Sequence, residues 1–319
     1  MNDFIKNGLF ISLGLLTVGA IIFLASSGFF TSKIFPEGFA NDVQIVEKPN
    51  SNQSINSPVF INISQIPFPK ELDFCGEKVP LHIPEVRERA EREFYLLLQQ
   101  QGQLALYLKR ANRFFPIYER IIKEMNLPDD LKYVSVAESA LFQSRSHRDA
   151  FGLWQFMEAT AREYGLRVDK YVDERANVEK STRAALTYLQ RGHRSFGSWA
   201  LAAAGYNMGN AGLRRAMTRQ NVDNYYDLFL NEETSRFVFR IIIIKELMKN
   251  AKKYGIDFPA DELYCFGNIR TVKVNGSIPD LFEWSARHKN LYKDVRLLNP
   301  WIRTDQLPNG NWEIIIYDK

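Results

Sequence analysis

The chain has 319 residues, 45% of them hydrophobic, and a formal net charge of +4. This composition is typical of a soluble globular protein, and the length allows one ordinary domain, a small second domain and some non-globular sequence. Lysine and arginine alternate with glutamate, as in Arg87-Glu-Arg-Ala-Glu-Arg-Glu93, and form no basic stripe of the kind that binds nucleic acid. We therefore expect no nucleic-acid partner and a mild preference for anionic surroundings.

The sequence contains only two cysteines, Cys75 and Cys265, and four histidines that do not cluster with them. This set is too small and too widely spaced for a metal site, so no metal and no cofactor are expected. In an exported protein the two cysteines could form one disulfide. A pair of buried free thiols is the alternative.

Residues 1–33 are expected to take the protein to a membrane. No charge occurs between Lys6 and Lys33, and residues 9–25 are almost wholly apolar. As a helix, residues 8–30 would extend about 35 Å, enough to cross a bilayer core of about 30 Å. A cleaved signal peptide is the alternative, because Ala25-Ser26-Ser27 offers small residues at a plausible cleavage site. With either an anchor or a signal peptide, the rest of the chain is expected to be exported to the cell envelope or periplasm.

Residues 34–70 are predicted to be a linker, because Pro49-Asn-Ser-Asn-Gln-Ser-Ile-Asn-Ser-Pro58 is rich in turn-forming residues. A helical lead-in is predicted over residues 71–125. Its first helix begins at Pro84 and continues through Leu108, because apolar residues recur at three- and four-residue steps. A second helix is expected over residues 113–125.

Residues 126–255 are predicted to form an all-helical domain. Residues 131–139 indicate a short, mostly buried helix, with apolar side chains at Leu131, Val134 and Ala137. No strand pattern occurs before about residue 269. Further helices fit residues 158–164, 179–192, 198–205 and 233–254.

Residues 268–319 predict a small βααβ module. Residues 269–274 and 312–317 have the pattern of strands, and two short helices fit residues 278–288 and 292–298. Trp284 and Leu298 are expected in its core. The side chains expected at its surface are Tyr292, Asn299, Trp301 and Trp312.

Three short motifs follow one another in the helical domain: Glu138-Ser139, then Gly152-Leu-Trp-Gln-Phe-Met157, then Gly205-Tyr-Asn-Met-Gly209. In this order they resemble the catalytic core of the lytic murein transglycosylases, lysozyme-like enzymes that cut the glycan strands of peptidoglycan, and in particular their membrane-bound type D branch. The resemblance implies a mainly α fold, with a lysozyme-like catalytic domain after an N-terminal membrane helix. The C-terminal module resembles a degenerate LysM module, which binds wall glycan; a structural cap is the alternative.

The resemblance implies one catalytic acid, Glu138. Glycoside cleavage needs a proton on the leaving oxygen, and a carboxyl supplies it at neutral pH only if its pKa is raised, usually by an apolar setting. The apolar residues on both sides of Glu138 provide that setting. Trp154 is a further candidate for stacking on sugar. By resemblance, the substrate-binding residues are Ser146, Gln155, Phe156, Met157, Tyr206 and Asn207.

Two positions depart from the family pattern and are expected to modulate activity. Asp149 stands where the family commonly has glycine, which places a side chain near the cleft. Phe237 stands where the family has a tyrosine whose hydroxyl is expected to reach the catalytic carboxyl. A catalytically silent wall-binding protein is therefore one alternative function.

The function implied is lytic cleavage of glycan with a 1,6-anhydro-muramic acid end, because the sugar's own 6-hydroxyl replaces water as nucleophile. The expected partners are peptidoglycan strands and, through the N-terminal helix, the membrane. A hydrolytic muramidase is the other alternative. It would pair Glu138 with a second carboxylate, for which Asp149, Asp169 and Asp173 are candidates.

Overall fold

The computed structural model describes residues 65–318, which are mainly helical. The membrane anchor expected at residues 8–30 and nearly all of the expected linker lie outside the described residues. Within residues 65–318, no helix combines the length and the apolar character that crossing a bilayer requires.

The lead-in consists of a small hairpin and two long helices. Strands β1 (Asp73–Phe74) and β2 (Glu77–Lys78) form the hairpin, which the sequence does not predict because each strand is too short to show an alternating pattern. Helix α1 (Pro84–Gln99) begins with a proline, whose missing N–H has no helical partner to lose, and α2 (Gln101–Glu124) follows.

The break between α1 and α2 falls at Gln100, earlier than the sequence predicts. Gln100 leaves the helical region with a ψ of 53°, and its N–H bonds to the carbonyls of Leu96 and Leu97. Helix α2 then continues through Pro116. A proline removes one helical hydrogen bond, but the fully buried Tyr118 beside it holds α2 in the core.

Helices α3 to α8 complete the helical domain, and all but α7 match predicted helices to within a few residues. α7 is mostly polar, and Leu213 is its only buried residue. The bounds are α3 (Lys132–Ser139), α4 (Glu158–Glu163), α5 (Val178–Phe196), α6 (Trp199–Met208), α7 (Asn210–Gln220) and α8 (Glu232–Lys249).

Helix α8 runs through the centre of the core and packs against α1, α3 and α6. Its residues 241–244 and Leu247 are almost wholly buried. Helix α6 approaches α5 closely because small residues meet there: a Cβ added to Gly192 would lie 3.2 Å from the Cβ of Ala202. The alanines of α6 therefore serve close helix packing.

The C-terminal module has the predicted βααβ order. Strands β3 (Ile269–Ile278) and β4 (Leu307–Tyr317) pair antiparallel, and helices α9 (Leu281–Arg287) and α10 (Tyr292–Leu298) lie between them in sequence. Trp284 and Leu298 are buried, as predicted.

The prediction of surface aromatics on this module is wrong. Trp301 and Trp312 are buried and stack with ring centroids 6.0 Å apart, and Asn299 is fully buried. Trp312 faces inward because it shares the strand face of Ile314 and Ile316. Only Tyr292 of the expected set is partly exposed, while Phe282, Leu291 and Leu297 are 64%, 63% and 67% exposed.

The module docks on residues 167–176, here called the docking segment, which lies between α4 and α5. Val172 forms an antiparallel bridge with Ile302 of the module. The side chains of Val172 and Ala176 are fully buried in the core of the module. The module is thus joined to the helical domain through apolar packing and backbone pairing.

The cysteines form neither the disulfide nor the buried thiol pair that the sequence left open. Both are free; Cys75 is half-buried and Cys265 is exposed. The Cys75 N–H donates to Asp130, whereas Tyr264, beside Cys265, donates its N–H to Lys109. The two cysteines therefore lie against different elements.

Candidate active site

Glu138 lies in the last turn of α3, where the chain leaves the helix with positive φ angles at Ala140 and Leu141. Residues 133–136 of this helix are buried. The buried part of α3 therefore fixes the position from which the Glu138 side chain projects.

Glu138 lines a pocket of about 410 Å³ that extends between α1, α2, α3 and α8. The opposite wall carries Glu93 of α1 and Arg236 and Arg240 of α8. Glu93 is buried and forms ion pairs with both arginines, at 2.5 Å and 3.6 Å. The lead-in helices thus belong to the pocket.

Glu138 is half-buried in the wall of this pocket, and the loss of solvation around its carboxyl is the main reason that its pKa is raised to about 8. The negative charge of Glu233 raises this pKa further, and the positive charge of Arg240 lowers it. A carboxyl with such a pKa holds its proton at neutral pH, which is the state that a general acid requires.

The motif after Glu138 forms a tight turn over residues 151–156, here called the 151–156 turn. Phe151 and Phe156 exchange backbone hydrogen bonds of 3.0 Å and 3.2 Å at its base. Gly152 has a φ of +87°, and a Cβ there would lie 2.1 Å from the carbonyl oxygen of Arg175. Only glycine fits this position.

The 151–156 turn is bonded directly to the helix of the acid. The hydroxyls of Ser135 and Ser139 both donate to the Leu153 carbonyl, at 2.9 Å and 2.8 Å. Gln155 adopts a φ of +50°, and its Nε2 donates to the carbonyls of Ser144 and Gly152. These hydrogen bonds therefore fix the turn relative to α3, the helix that carries Glu138.

Tyr206 and Asn207, at the end of α6, connect the turn to α8. The Tyr206 hydroxyl donates to the Trp154 carbonyl at 2.7 Å, and its pKa is raised by burial and, once Glu138 is ionised, by the negative charge of that carboxylate. Asn207 accepts a hydrogen bond from Thr234 at 2.7 Å and donates to Glu233 at 3.4 Å.

Trp154 and Phe156 are buried, so their rings belong to the core and not to a surface that stacks on sugar. The Trp154 ring donates its N–H to the Thr182 hydroxyl inside the core, at 2.9 Å. Both side chains face the core because the Gly152 turn directs residues 153–156 back into the protein. Met157 is 45% exposed and keeps an accessible side chain.

Ser146 and Asp149 shape the loop before the turn. The Ser146 hydroxyl accepts the Ala150 N–H at 3.0 Å. Asp149 has a φ of +66°, a conformation that glycine adopts easily, and its exposed carboxylate pairs with Arg145. The charges that move the pKa of Glu138 come from Glu233 and Arg240 instead.

The other two acids considered as partners for Glu138 are engaged elsewhere. Asp169 accepts hydrogen bonds from Arg167 and from the backbone N–H groups of Tyr171 and Val172. Asp173 is buried and pairs with Arg175.

Phe237 is 2% exposed and lies on α8 between Glu233 and Arg240. Positions i, i+4 and i+7 share one face of a helix, so these three residues face the same side. No role was predicted for Glu233 or Arg240, although their helical spacing from Phe237 was a usable signal. Among residues 65–318, no group of three or more His, Cys, Asp or Glu side chains could hold a metal ion.

Residues 116–229 match the family model described as the transglycosylase SLT domain. This chain carries an SLT domain. The match spans Glu138, the 151–156 turn and Tyr206. Residues 270–313 match the C-terminal LysM-like domain of soluble lytic transglycosylases, so that the module after the SLT domain is LysM-like.

The chain is homologous to the membrane-bound lytic murein transglycosylase D of Escherichia coli, with 30% identity over 195 residues, 59% of this chain and 43% of that protein. A protein of Alteromonas named for tributyltin chloride resistance is 35% identical over 105 residues, 32% of this chain and 50% of that protein. The chain thus spans about half the length of these relatives or less.

A solved structure of an inactive mutant of the lytic transglycosylase Slt from Pseudomonas aeruginosa shares 20% identity with this chain. The two superpose over 47% of this chain and 26% of that one, with a TM-score of 0.34.

Proposed function

We propose that the chain is a peptidoglycan lytic transglycosylase that cuts the bond between MurNAc and GlcNAc with Glu138 as its single catalytic acid. The observation that carries this proposal is the position of Glu138 in a pocket beside the 151–156 turn, where loss of solvation raises its pKa to about 8. The homology to a lytic murein transglycosylase supports the substrate class. The activity belongs to the cell envelope, and residues 8–30 are the proposed anchor.

In this proposal, Glu138 first donates a proton and then accepts one. The protonated carboxyl first donates its proton to the glycosidic oxygen as positive charge develops at C1 of the muramic acid. The resulting carboxylate then accepts the proton of the 6-hydroxyl, whose oxygen attacks C1 and closes the 1,6-anhydro ring. An intramolecular nucleophile has a high effective concentration, so a second carboxylate is not needed to hold water.

The remaining site residues bind and orient the glycan. Ser146, Gln155, Met157 and Asn207 are proposed to line its path, and Tyr206 to fix the turn beside the acid. Phe156 does not line this path, because its ring is buried and its backbone groups bond to Phe151 and Arg175.

A hydrolytic muramidase is the second candidate, and Glu233 favours it. The negative charge of Glu233 raises the pKa of Glu138, and the Glu233 carboxylate accepts a hydrogen bond from Asn207. Glu233 could therefore position a water molecule. Mass analysis of muropeptides released from purified sacculi distinguishes the two reactions. Fragments one water lighter than the hydrolysed ones support the transglycosylase, whereas reducing ends that disappear in Glu233→Gln support the muramidase.

A further inference from the structure

We propose that Arg175 is a positioning residue for the 151–156 turn, and that the C-terminal module acts on the active site through it. The inference rests on the proposed function, because it concerns the turn beside Glu138. It gives the LysM-like module a role in catalysis itself, in addition to any binding of glycan.

The first link joins the module to the docking segment. The Asp173 N–H donates to the Trp301 carbonyl, and the Arg303 N–H donates to the Tyr171 carbonyl, both at 2.8 Å. These bonds flank the bridge between Val172 and Ile302. Backbone pairing on both sides of a buried residue leaves little freedom for the docking segment to move relative to the module.

The second link runs from the docking segment to the turn through the Arg175 side chain, which is 1% exposed. Its Nε and Nη2 donate to the two carboxylate oxygens of Asp173, at 2.9 Å and 2.8 Å. Its Nη1 donates to the carbonyls of Asp149 and Phe156, at 2.9 Å and 3.1 Å. The rigid guanidinium fork thus ties Asp173 to the end of the turn at Phe156 and to the loop before the turn at Asp149.

The third link is steric. The Arg175 carbonyl lies so close to Gly152 that no side chain fits between them. Phe151, at the base of the turn, packs against the apolar core of the module. Serines of α3 and Tyr206 hold the turn from the acid's side, while the docking segment holds it from the other.

Arg175 acts here through geometry and not through its charge. Its positive charge is already matched by the buried Asp173. The charged groups that move the pKa of Glu138 are Glu233 and Arg240 on α8. Loosening Arg175 should therefore slow cleavage without displacing the pH profile.

The test uses the full chain and the variant Arg175→Lys, which keeps a positive charge beside Asp173 but loses the fork to Asp149 and Phe156. We expect kcat to fall about tenfold or more, since a displacement of about 1 Å can cost about 10²-fold. KM and the pH profile should stay near their wild-type values. Arg167→Lys is the matched control, because Arg167 also pairs with an aspartate in the docking segment but is half-exposed.

A second pair of variants tests the role of the module. Ile302→Ala loosens the packing against Val172, whereas Ile314→Ala removes an equally buried side chain within the β3–β4 ladder. We expect Ile302→Ala to lower kcat more than Ile314→Ala. Combined with Arg175→Lys, Ile302→Ala should add little, because both act through one connection.

The outcomes separate this inference from the proposed function. If the wild-type chain releases no muropeptides from sacculi, the proposed function is wrong. If the wild-type chain is active and Arg175→Lys keeps its kcat, Arg175 does not position the turn. If Arg175→Lys does not fold, equal kcat values for Ile302→Ala and Ile314→Ala overturn the inference on their own.

Discussion

The hydroxyl of Tyr206 donates a 2.7 Å hydrogen bond to the carbonyl of Trp154, in the middle of the 151–156 turn. Ser139, next to the acid, holds the neighbouring Leu153 carbonyl. Three motifs that are separate in sequence are therefore joined by hydrogen bonds to one short piece of backbone. Their proximity in the fold is a consequence of this shared turn.

Tyr206→Phe should lower the cleavage rate about tenfold, because it leaves the Trp154 carbonyl without its donor. An unsatisfied buried polar group costs about 1–3 kcal/mol, which the turn can relieve only by moving. Steady-state kinetics on soluble glycan chains measure the effect. Tyr188→Phe is the control, since Tyr188 donates to the Gly205 carbonyl, away from the turn. Equal losses in both variants would show that the bond to Trp154 has no special importance.

Glu138→Gln should abolish glycan cleavage while leaving folding and binding to peptidoglycan intact. The amide keeps the shape of the side chain but cannot donate and regain a proton, and such catalysis contributes about 10²–10⁴-fold. Release of soluble fragments from sacculi is the measurement. Loss of general acid catalysis should leave far less than about a tenth of the wild-type activity. A higher residual activity would mean that another group supplies the proton.

The rate of cleavage should fall as the pH rises through about 8, because Glu138 must be protonated to act as the acid. Glu233→Gln removes a charge that raises this pKa, so the descending limb should move to lower pH. Arg240→Gln removes a charge that lowers it, so the limb should move to higher pH. Profiles of kcat/KM against pH test both signs. If both variants move the descending limb in the same direction, Glu233 and Arg240 do not have opposite effects on the pKa of Glu138.

Glu138→Gln should also stabilise the protein at alkaline pH. The folded pKa lies above the ordinary glutamate value of 4.5, so the native state binds more protons than the unfolded chain between pH 4.5 and about 8. The contribution of Glu138 to stability is therefore lost as the pH rises through this window, by at most about 1.4 kcal/mol per pH unit. Thermal unfolding of both proteins at pH 5 and pH 8 measures this. A gain in Tm that is no larger at pH 8 would argue against a buried, protonated Glu138.

Phe237→Tyr should raise turnover several-fold if the added hydroxyl reaches the acid. Phe237 lies on the face of α8 that carries Glu233 and Arg240, and a net hydrogen bond is worth about 0.5–1.5 kcal/mol. The measurement is kcat with its pH profile. Phe239→Tyr, also buried but two residues away along α8, is the control. An unchanged rate and profile would place the hydroxyl away from Glu138.

Local patterns in the sequence predict the helices that carry the site. The spacing of apolar residues predicts α1, α3, α5 and α8. The motifs predict that Glu138 and Gln155 belong to one site. The same patterns do not say which side of a short turn faces the core. Trp154 was therefore a candidate for sugar contact, although its N–H is satisfied by Thr182 inside the protein.

Contacts between distant segments could not be predicted from periodicity. The pairing of Val172 with Ile302 depends on the arrangement of two domains, and nothing local marks either residue. The burial of Trp301 has the same origin, because its carbonyl accepts the Asp173 N–H at the junction. Charge pairs such as Glu93 with Arg240 likewise connect helices that are far apart in sequence.

Arg303 of the module and Asp169 of the docking segment are 134 positions apart, and the Arg303 side chain donates to the Asp169 carbonyl. A ribosome makes the domains of a chain from the N-terminus onward, and they fold in that order. The 151–156 turn therefore gains this support only after residue 303 has been synthesised. We expect a chain nicked between the helical domain and the module to cut glycan more slowly than the intact chain, as loosening the same connection at Ile302 should do.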